Sequence, residues 1–322
     1  MFRGSSLTFI FILIIFSFFY HGVVSTSTNN NEESLVQFAR LKEVHNEQKN
    51  KFYQFIKSGK CQHVYLDIGT NIGVQIRKLY QPEGYPNAPI LPFFNKSFGD
   101  VRTRHKVCSV GFEASRVHTD RLIKLQQAYQ DAGYPCVIFT NTAVGTYNGI
   151  VEFFHDYKKT APVLDGRSIE DGATAVRHSD ATTHDDAISL DLNAFLHQLV
   201  NKFEKVSSNQ QPPFARGSSS SRSIVAKLDI EGSEFSVLPH LLVHGSLCLL
   251  DAIMIEWHWT MRKFLIKNRA LHDIEKMIDN LLLTTNCKVK QVDLDDETYA
   301  KDNNVPLPPP LLSLPTPLLS IV

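Results

Sequence analysis

At 322 residues, with 43% hydrophobic and 20% charged residues, the chain has the composition of a globular protein with a sizeable core, which excludes a wholly disordered or low-complexity chain. Lys and Arg number 33, as do Asp and Glu, and no long basic run interrupts that balance, so nothing points to a nucleic-acid partner. The five cysteines are far apart, without CxxC or His-paired spacing. A structural zinc site is therefore excluded and no metal is expected.

The chain opens with Arg3, an apolar run over residues 7–20, and the small residues Val23, Val24 and Ser25. A run of about 14 apolar residues suits a signal-peptide core and falls short of the roughly 20 that span a bilayer. Residues 1–25 are expected to be a signal peptide cleaved after Ser25 or an uncleaved signal anchor, and only the anchor would bring a membrane partner. The secretory pathway, luminal or secreted, is the expected address. The sequon Asn95-Lys96-Ser97, in a loop-like stretch, fits it. One or two disulfides can form there, although cysteines beside core strands are more commonly buried thiols.

Residues 26–60 hold a polar segment and then Leu35, Phe38, Leu41, Val44, Phe52 and Phe55, mostly three or four apart; this predicts an amphipathic helix over 33–55. A strand and helix rhythm follows, with strands over 63–68, 107–112, 136–139, 224–230, 252–257 and 287–292. The helices fall at 72–80, 119–132, 234–243 and 262–283. Alternation of this kind predicts an α/β, Rossmann-like domain over 61–296, a mostly parallel sheet with helices on both faces. Insertions are expected at 81–100, 157–186 and 207–222, with added strands at 150–154 and 187–192. The Pro- and Leu-rich residues 297–322 read as an unstructured or loosely docked tail.

Chemistry concentrates at three strand ends. After Leu66-Asp67-Ile68, the turn Gly69-Thr70-Asn71 and then Gly73 open a helix. Its amides are expected to face the crevice and a ligand carboxylate, with Asp67 near the ligand's ammonium. The glycine spacing does not meet the G-x-G-x-x-G dinucleotide fingerprint. Glu113 closes the second strand, where a carboxylate can accept from both ribose hydroxyls, and Asn141 follows the third, within reach of an adenine edge. In Lys227-Leu228-Asp229-Ile230-Glu231 the charged side chains alternate onto one face. Asp229, Glu231 and His258, with Glu256 beside it, are the candidates for catalysis, an imidazole or carboxylate taking a proton from an acceptor hydroxyl.

Together, Leu66 to Gly73, Phe112-Glu113, Ala143-Val144-Gly145, Lys227 to Glu234 and Ile255-Glu256 resemble the FkbM-type methyltransferases, over about residues 64–296. The resemblance implies S-adenosylmethionine as methyl donor and oxygen methylation of a small-molecule or sugar-like (glycan) acceptor. The long insertion after the first helix and the lack of a final antiparallel strand depart from the family pattern. Two other readings compete: a luminal, metal-dependent glycosyltransferase using Asp293-Leu294-Asp295, and an inactive binding protein on the same fold.

Overall fold

In a computed structural model of the chain, the structure describes residues 31–155, 163–164, 167–168, 183–208, 222–258, 276, 280, 287–293, 296, 298 and 305–310. The expected signal segment, most of the 157–186 and 207–222 insertions, nearly all of the 262–283 helix and the end of the tail lie outside these residues. No helix among the described residues is long and apolar enough to cross a membrane. The chain divides into two compact units, residues 1–40 and 41–322, and every strand belongs to the second.

Helix α1 (Asn31–Lys57) begins in the first unit and ends in the second. Strand β1 (His63–Ile68) leads to α2 (Val74–Tyr80) and α3 (Leu91–Phe98), and β2 (Val107–Glu113) to α4 (Thr119–Asp131). Next come β3 (Cys136–Thr140), β4 (Thr142–Gly145), β5 (Gly149–His155), the two-residue strands β6 (Val163–Leu164) and β7 (Arg167–Ser168), and β8 (Thr183–Asp191). Helix α5 (Leu192–Ser208), β9 (Ile224–Leu228), α6 (Glu234–Val243), β10 (Ala252–Ile255) and β11 (Lys290–Asp293) complete the series.

The main sheet has six strands in the order β11-β10-β9-β1-β2-β3, every pair parallel. This is the α/β, Rossmann-like architecture that the alternation predicts. A parallel sheet is covered on both faces, and β1 shows why its residues are apolar in both directions. Val64, Leu66 and Ile68 join a cluster with Phe52 and Ile56 of α1 and Phe195, Leu196 and Leu199 of α5. Tyr65 points the other way, among Ile76, Leu79, Phe94, Leu122 and Leu125.

The expected interruptions take definite forms. The 81–100 insertion folds as α3, with Phe94 and Phe98 in the core, and the sequon lies on this helix rather than in a loop. Asn95 accepts through Oδ1 from the buried Arg104 guanidinium at 2.6 Å. The added strands form a second sheet, β4-β8-β5, parallel at β4–β8 and antiparallel at β5–β8. Helix α5 has no counterpart in the sequence expectation, although Phe195, Leu196, Leu199 and Phe203 keep helical spacing into the core. The tail is docked where it is described: the Val305 carbonyl accepts from Arg77, and the Pro306 carbonyl accepts from Gln81 at 2.9 Å.

Candidate active site

The chain crosses the sheet from β1 to β3 and then returns to the other side of β1 at β9. In open α/β sheets such a reversal, where the loops leave neighbouring strands in opposite directions, is where a ligand crevice forms at the carboxyl ends of the strands. Asp67, Glu113, Asn141, Asp229 and Glu231 all stand at that end of β1, β2, β3 and β9, and His258 follows β10.

Asp67 faces Lys227 across the β1–β9 pairing. The carboxyl of Asp67 is fully buried; burial pushes its pKa up to about 6, against the opposing pull of Lys227. Tyr65 donates to Oδ1 at 3.3 Å, whereas Oδ2 has no hydrogen-bond partner among the described residues. Thr70 anchors the following turn, its hydroxyl donating to the Asp67 carbonyl at 2.8 Å.

Gly69 is held at φ +84, and a Cβ there would lie 1.7 Å from the Asp229 carbonyl oxygen, so the turn is pressed against the end of β9. Its amides correct the expectation that they face a ligand. The Gly69 and Thr70 amides donate to the Phe112 carbonyl at 3.1 and 3.0 Å, and the Asn71 amide to Glu113 Oε2 at 2.6 Å. The turn laces β1 to the end of β2. Gly73 makes room for α4 rather than for its own strand, since a Cβ would meet Leu125 Cδ2 at 2.2 Å. Glu113, expected at an open strand end, is buried, and its Oε1 accepts from the Ser115 amide at 2.7 Å. Asn141 marks the joint between β3 and β4: Thr119 donates to its Oδ1 at 3.5 Å and the Ile188 amide to its carbonyl at 2.9 Å.

Beyond β9, the Lys227 ammonium pairs with Asp229 Oδ2. Burial opposes the charge on Lys227, but Asp229, Asp67 and Glu256 outweigh it and raise the pKa. Glu234, fully buried at the start of α6, accepts from the Ile230 and Gly232 amides, both at 2.8 Å. It thereby shapes the turn that carries Glu231, and its Oε1 also lies 2.9 Å from His258 Nδ1. The other ring nitrogen, Nε2, faces Asp229 Oδ1 at 3.4 Å, Glu231 Oε1 at 3.7 Å and Glu256 Oε1 at 3.8 Å. Burial lowers the His258 pKa, yet the hydrogen bond to Glu234 and the charges of Glu231, Glu234 and Asp229 prevail and push it up to about 9. The surrounding carboxylates thus favour the protonated ring, which works against the expected role of His258 as a base.

Among the described residues, Asn71, Asn141 and Glu231 are the non-glycine residues with positive φ, at 50, 51 and 52. Such backbone is uncommon outside glycine and clusters at functional sites. Here it coincides with three positions that the sequence motifs single out. Two features had no sequence signal: the role of Glu234 as anchor of His258, and a buried pair in which Lys78 of α2 meets Asp296 at 2.9 Å. Asp296 could be suspected only as one carboxylate among several in a polar stretch. Of the Asp293-Leu294-Asp295 triplet, Asp293 accepts from Trp257 Nε1 at 3.4 Å and Asp295 lies outside the described residues.

Comparison of the chain with models of protein families, with curated proteins and with solved structures found no match.

Proposed function

We propose that this chain is an S-adenosylmethionine-dependent methyltransferase that methylates an oxygen of a small-molecule or glycan acceptor in the secretory pathway. The observation that carries the reading is the reversal of strand order at β1, with Asp67, Glu113 and Asp229 at the carboxyl ends of β1, β2 and β9. A nucleoside bearing an ammonium and a sulfonium suits that acidic lining. Glu113 is placed for the ribose hydroxyls and Asn141 for the adenine edge. Asp67, whose Oδ2 lacks a partner among the described residues, is assigned to the ammonium. The amides of Gly69, Thr70 and Asn71 are bonded within the protein, so they are given no part in holding the donor's carboxylate.

Once bound, the donor supplies an already activated methyl group, and the protein's task is alignment and removal of the acceptor's proton. The carboxylates beside His258 are the groups proposed to take that proton. Glu231, whose side chain is 39% exposed against 20% for Asp229, is the best placed to meet an acceptor. The secretory address is supported by the disulfides Cys61–Cys108 and Cys248–Cys287, which persist in oxidising compartments. Cys136 stays a buried thiol.

Calorimetry of the full chain against S-adenosylmethionine, and separately against a nucleotide sugar with Mn²⁺, tests the reading. Binding of the first alone is expected. Glu113→Gln keeps an oxygen for one of the two backbone amides and loses the charge; a charge-assisted hydrogen bond contributes roughly 1.5–3 kcal/mol, so affinity should fall at least tenfold in a protein whose melt shows it folded. Absence of donor binding, or binding of the nucleotide sugar instead, would overturn the proposal.

A further inference from the structure

The side chains around His258, with Asp229 and Glu231 of the proposed site among them, converge on one ring nitrogen. Asp229, Glu231 and His258 bring one donor atom each to within 4.8 Å of one another, and Glu256 approaches the same imidazole nitrogen. We infer that Asp229, Glu231, Glu256 and His258 Nε2 bind a divalent cation of hard to borderline character, such as Mn²⁺.

The spacing is the first reason. The Nε2 contacts of 3.4, 3.7 and 3.8 Å are longer than good hydrogen bonds of about 2.7–3.2 Å. Ligands each about 2.1 Å from a shared ion stand roughly 3.0–3.4 Å apart at octahedral or tetrahedral angles. The three imidazole–carboxylate separations therefore need only a few tenths of an ångström of closure around an ion, within a set of donor atoms that lie within 4.8 Å of one another.

The second reason lies outside the cluster. A metal-binding imidazole has its other nitrogen fixed by a carboxylate or carbonyl, which sets the ring's direction. His258 has that arrangement: Glu234 holds Nδ1 at 2.9 Å, and Glu234 is itself fully buried and locked by two backbone amides. Nε2 is thus directed at three carboxylates by a group that takes no part in the cluster.

Charge supplies the third. Among the described residues, the cations acting on Asp67, Asp229, Glu231, Glu234 and Glu256 include Lys227, His258 and, for Asp67, Lys78. Asp67 belongs to the same field: it is fully buried, its Oδ2 meets no hydrogen-bond partner among the described residues, and the Asp229 charge acts on it. Among these described groups the carboxylates outnumber the cations, and charge that is partly withdrawn from water is poorly solvated. A dication answers it more completely than a proton on the imidazole. Imidazole with carboxylates selects borderline and hard ions over thiophilic ones.

The cation site stands on these side chains alone; its use in polarising an acceptor hydroxyl rests on the methyltransferase reading. Metal-free full chain is titrated with MnCl2 while the electron-spin resonance of free Mn²⁺ is followed, without any methyl donor. One ion per chain is expected, with nitrogen modulation in the bound spectrum from His258. His258→Gln should abolish the modulation and weaken uptake at least tenfold, and the partly exposed Glu256→Gln should weaken it similarly. Glu234→Gln, which alters the hold on the far ring nitrogen and on the Ile230 and Gly232 amides without removing a ligand, should weaken it tenfold to a hundredfold. Asp293→Asn should change nothing. Lack of uptake at millimolar Mn²⁺ by the folded protein, or uptake indifferent to Glu256→Gln, overturns the inference. Donor calorimetry under metal-free conditions keeps the two proposals separate, since either can fail while the other holds.

Discussion

The two ends of the main sheet differ in charge and in how tightly they are built. At the carboxyl ends of the strands, five carboxylates crowd around Lys227 and His258. At the amino ends, a cavity of about 440 Å³ is lined by Lys60, His105, Lys106 and Arg222, beside Cys61. The histidines report the contrast. His258 is pushed up to about 9 once its carboxylates overcome burial, whereas burial, helped by Arg222 and Lys106, pushes His63 down to about 4. Segregation of this sign is partly a property of the architecture. Helices in a parallel α/β fold run against the strands, so their positive ends gather where the strands finish and their negative ends where the strands begin. Acidity at one rim therefore does not identify a site. The distinguishing features of the crevice are convergence of carboxylates on one nitrogen and left-handed backbone at Asn71, Asn141 and Glu231.

The sharpest way to break the contrast is at Gly69. With φ +84 and the Asp229 carbonyl 1.7 Å from any added Cβ, Gly69→Ala forces β1 and β9 apart at the centre of the sheet. Loss of the folded state is expected, seen as absence of a cooperative melt, and a soluble Gly69→Ala protein with an unchanged melt would show the junction to be loose. A failure of ligand binding in that variant would accordingly say nothing about the ligand.

At the opposite rim the disulfide Cys61–Cys108 ties the start of β1 to the start of β2 across 47 residues. Closing a loop of that length restricts the unfolded chain by about 4 kcal/mol in the chain-entropy account. The Cys61→Ser, Cys108→Ser double variant should lose roughly that much in denaturant unfolding. It should still bind whatever the crevice binds, because the change lies at the far end of the strands. A loss of donor affinity out of proportion to stability would show that the two ends are coupled.

The third test uses His63, whose Nδ1 lies 2.7 Å from the Ser223 hydroxyl. Its folded pKa is lowered from 6.5 to about 4, so the unfolded chain binds the extra proton across that window. Stability linked to this group is present above about pH 6.5 and is lost as pH falls toward 4, at a slope approaching 1.4 kcal/mol per pH unit. His63→Gln removes the term. Denaturant unfolding of both proteins between pH 7.5 and 4.5 should give curves that converge as pH falls, and parallel curves would refute the assignment.

These contrasts also show what the sequence could and could not disclose. The strands β1, β2 and β3 were legible because a strand buried on both faces is a continuous apolar run, and the charges that break such runs, Asp67 and Lys227, stood out. Glu231 and Asn141 were legible as polar residues just beyond strands. Their partners were not: Glu234 meets His258 only because α6 starts beside the end of β10, and Lys78 meets Asp296 across 218 positions of chain, a juxtaposition of tertiary origin. The turn amides were misread for a related reason. The glycines announce a tight turn but not its acceptors, which here are the Phe112 carbonyl and Glu113. Helix α5 was missed although its apolar spacing is helical, because it is wedged between a strand and a Ser-rich loop whose signals are stronger than its own.

The mildest change is at Gly245, which precedes the short turn leading to β10 at the basic rim and has φ +70. It follows α6 by two residues, and its amide donates to the Leu242 carbonyl at 3.0 Å, a left-handed helix ending of the kind glycine favours. Unlike Gly69, it has nothing within 4 Å of an added Cβ. Gly245→Ala therefore bears only the conformational cost of left-handed backbone, about 1–2 kcal/mol. Part of that is offset because alanine restricts the unfolded chain, by about 0.4–1 kcal/mol. The net loss should be near 1 kcal/mol in denaturant unfolding, with the cooperativity of the transition unchanged. Gly69 and Gly245 share a sign of φ and differ in what surrounds them, so the pair separates backbone strain from close packing. A Gly245→Ala loss as large as that of Gly69→Ala would mean that strain, and not the press of the turn against β9, accounts for the crevice's sensitivity.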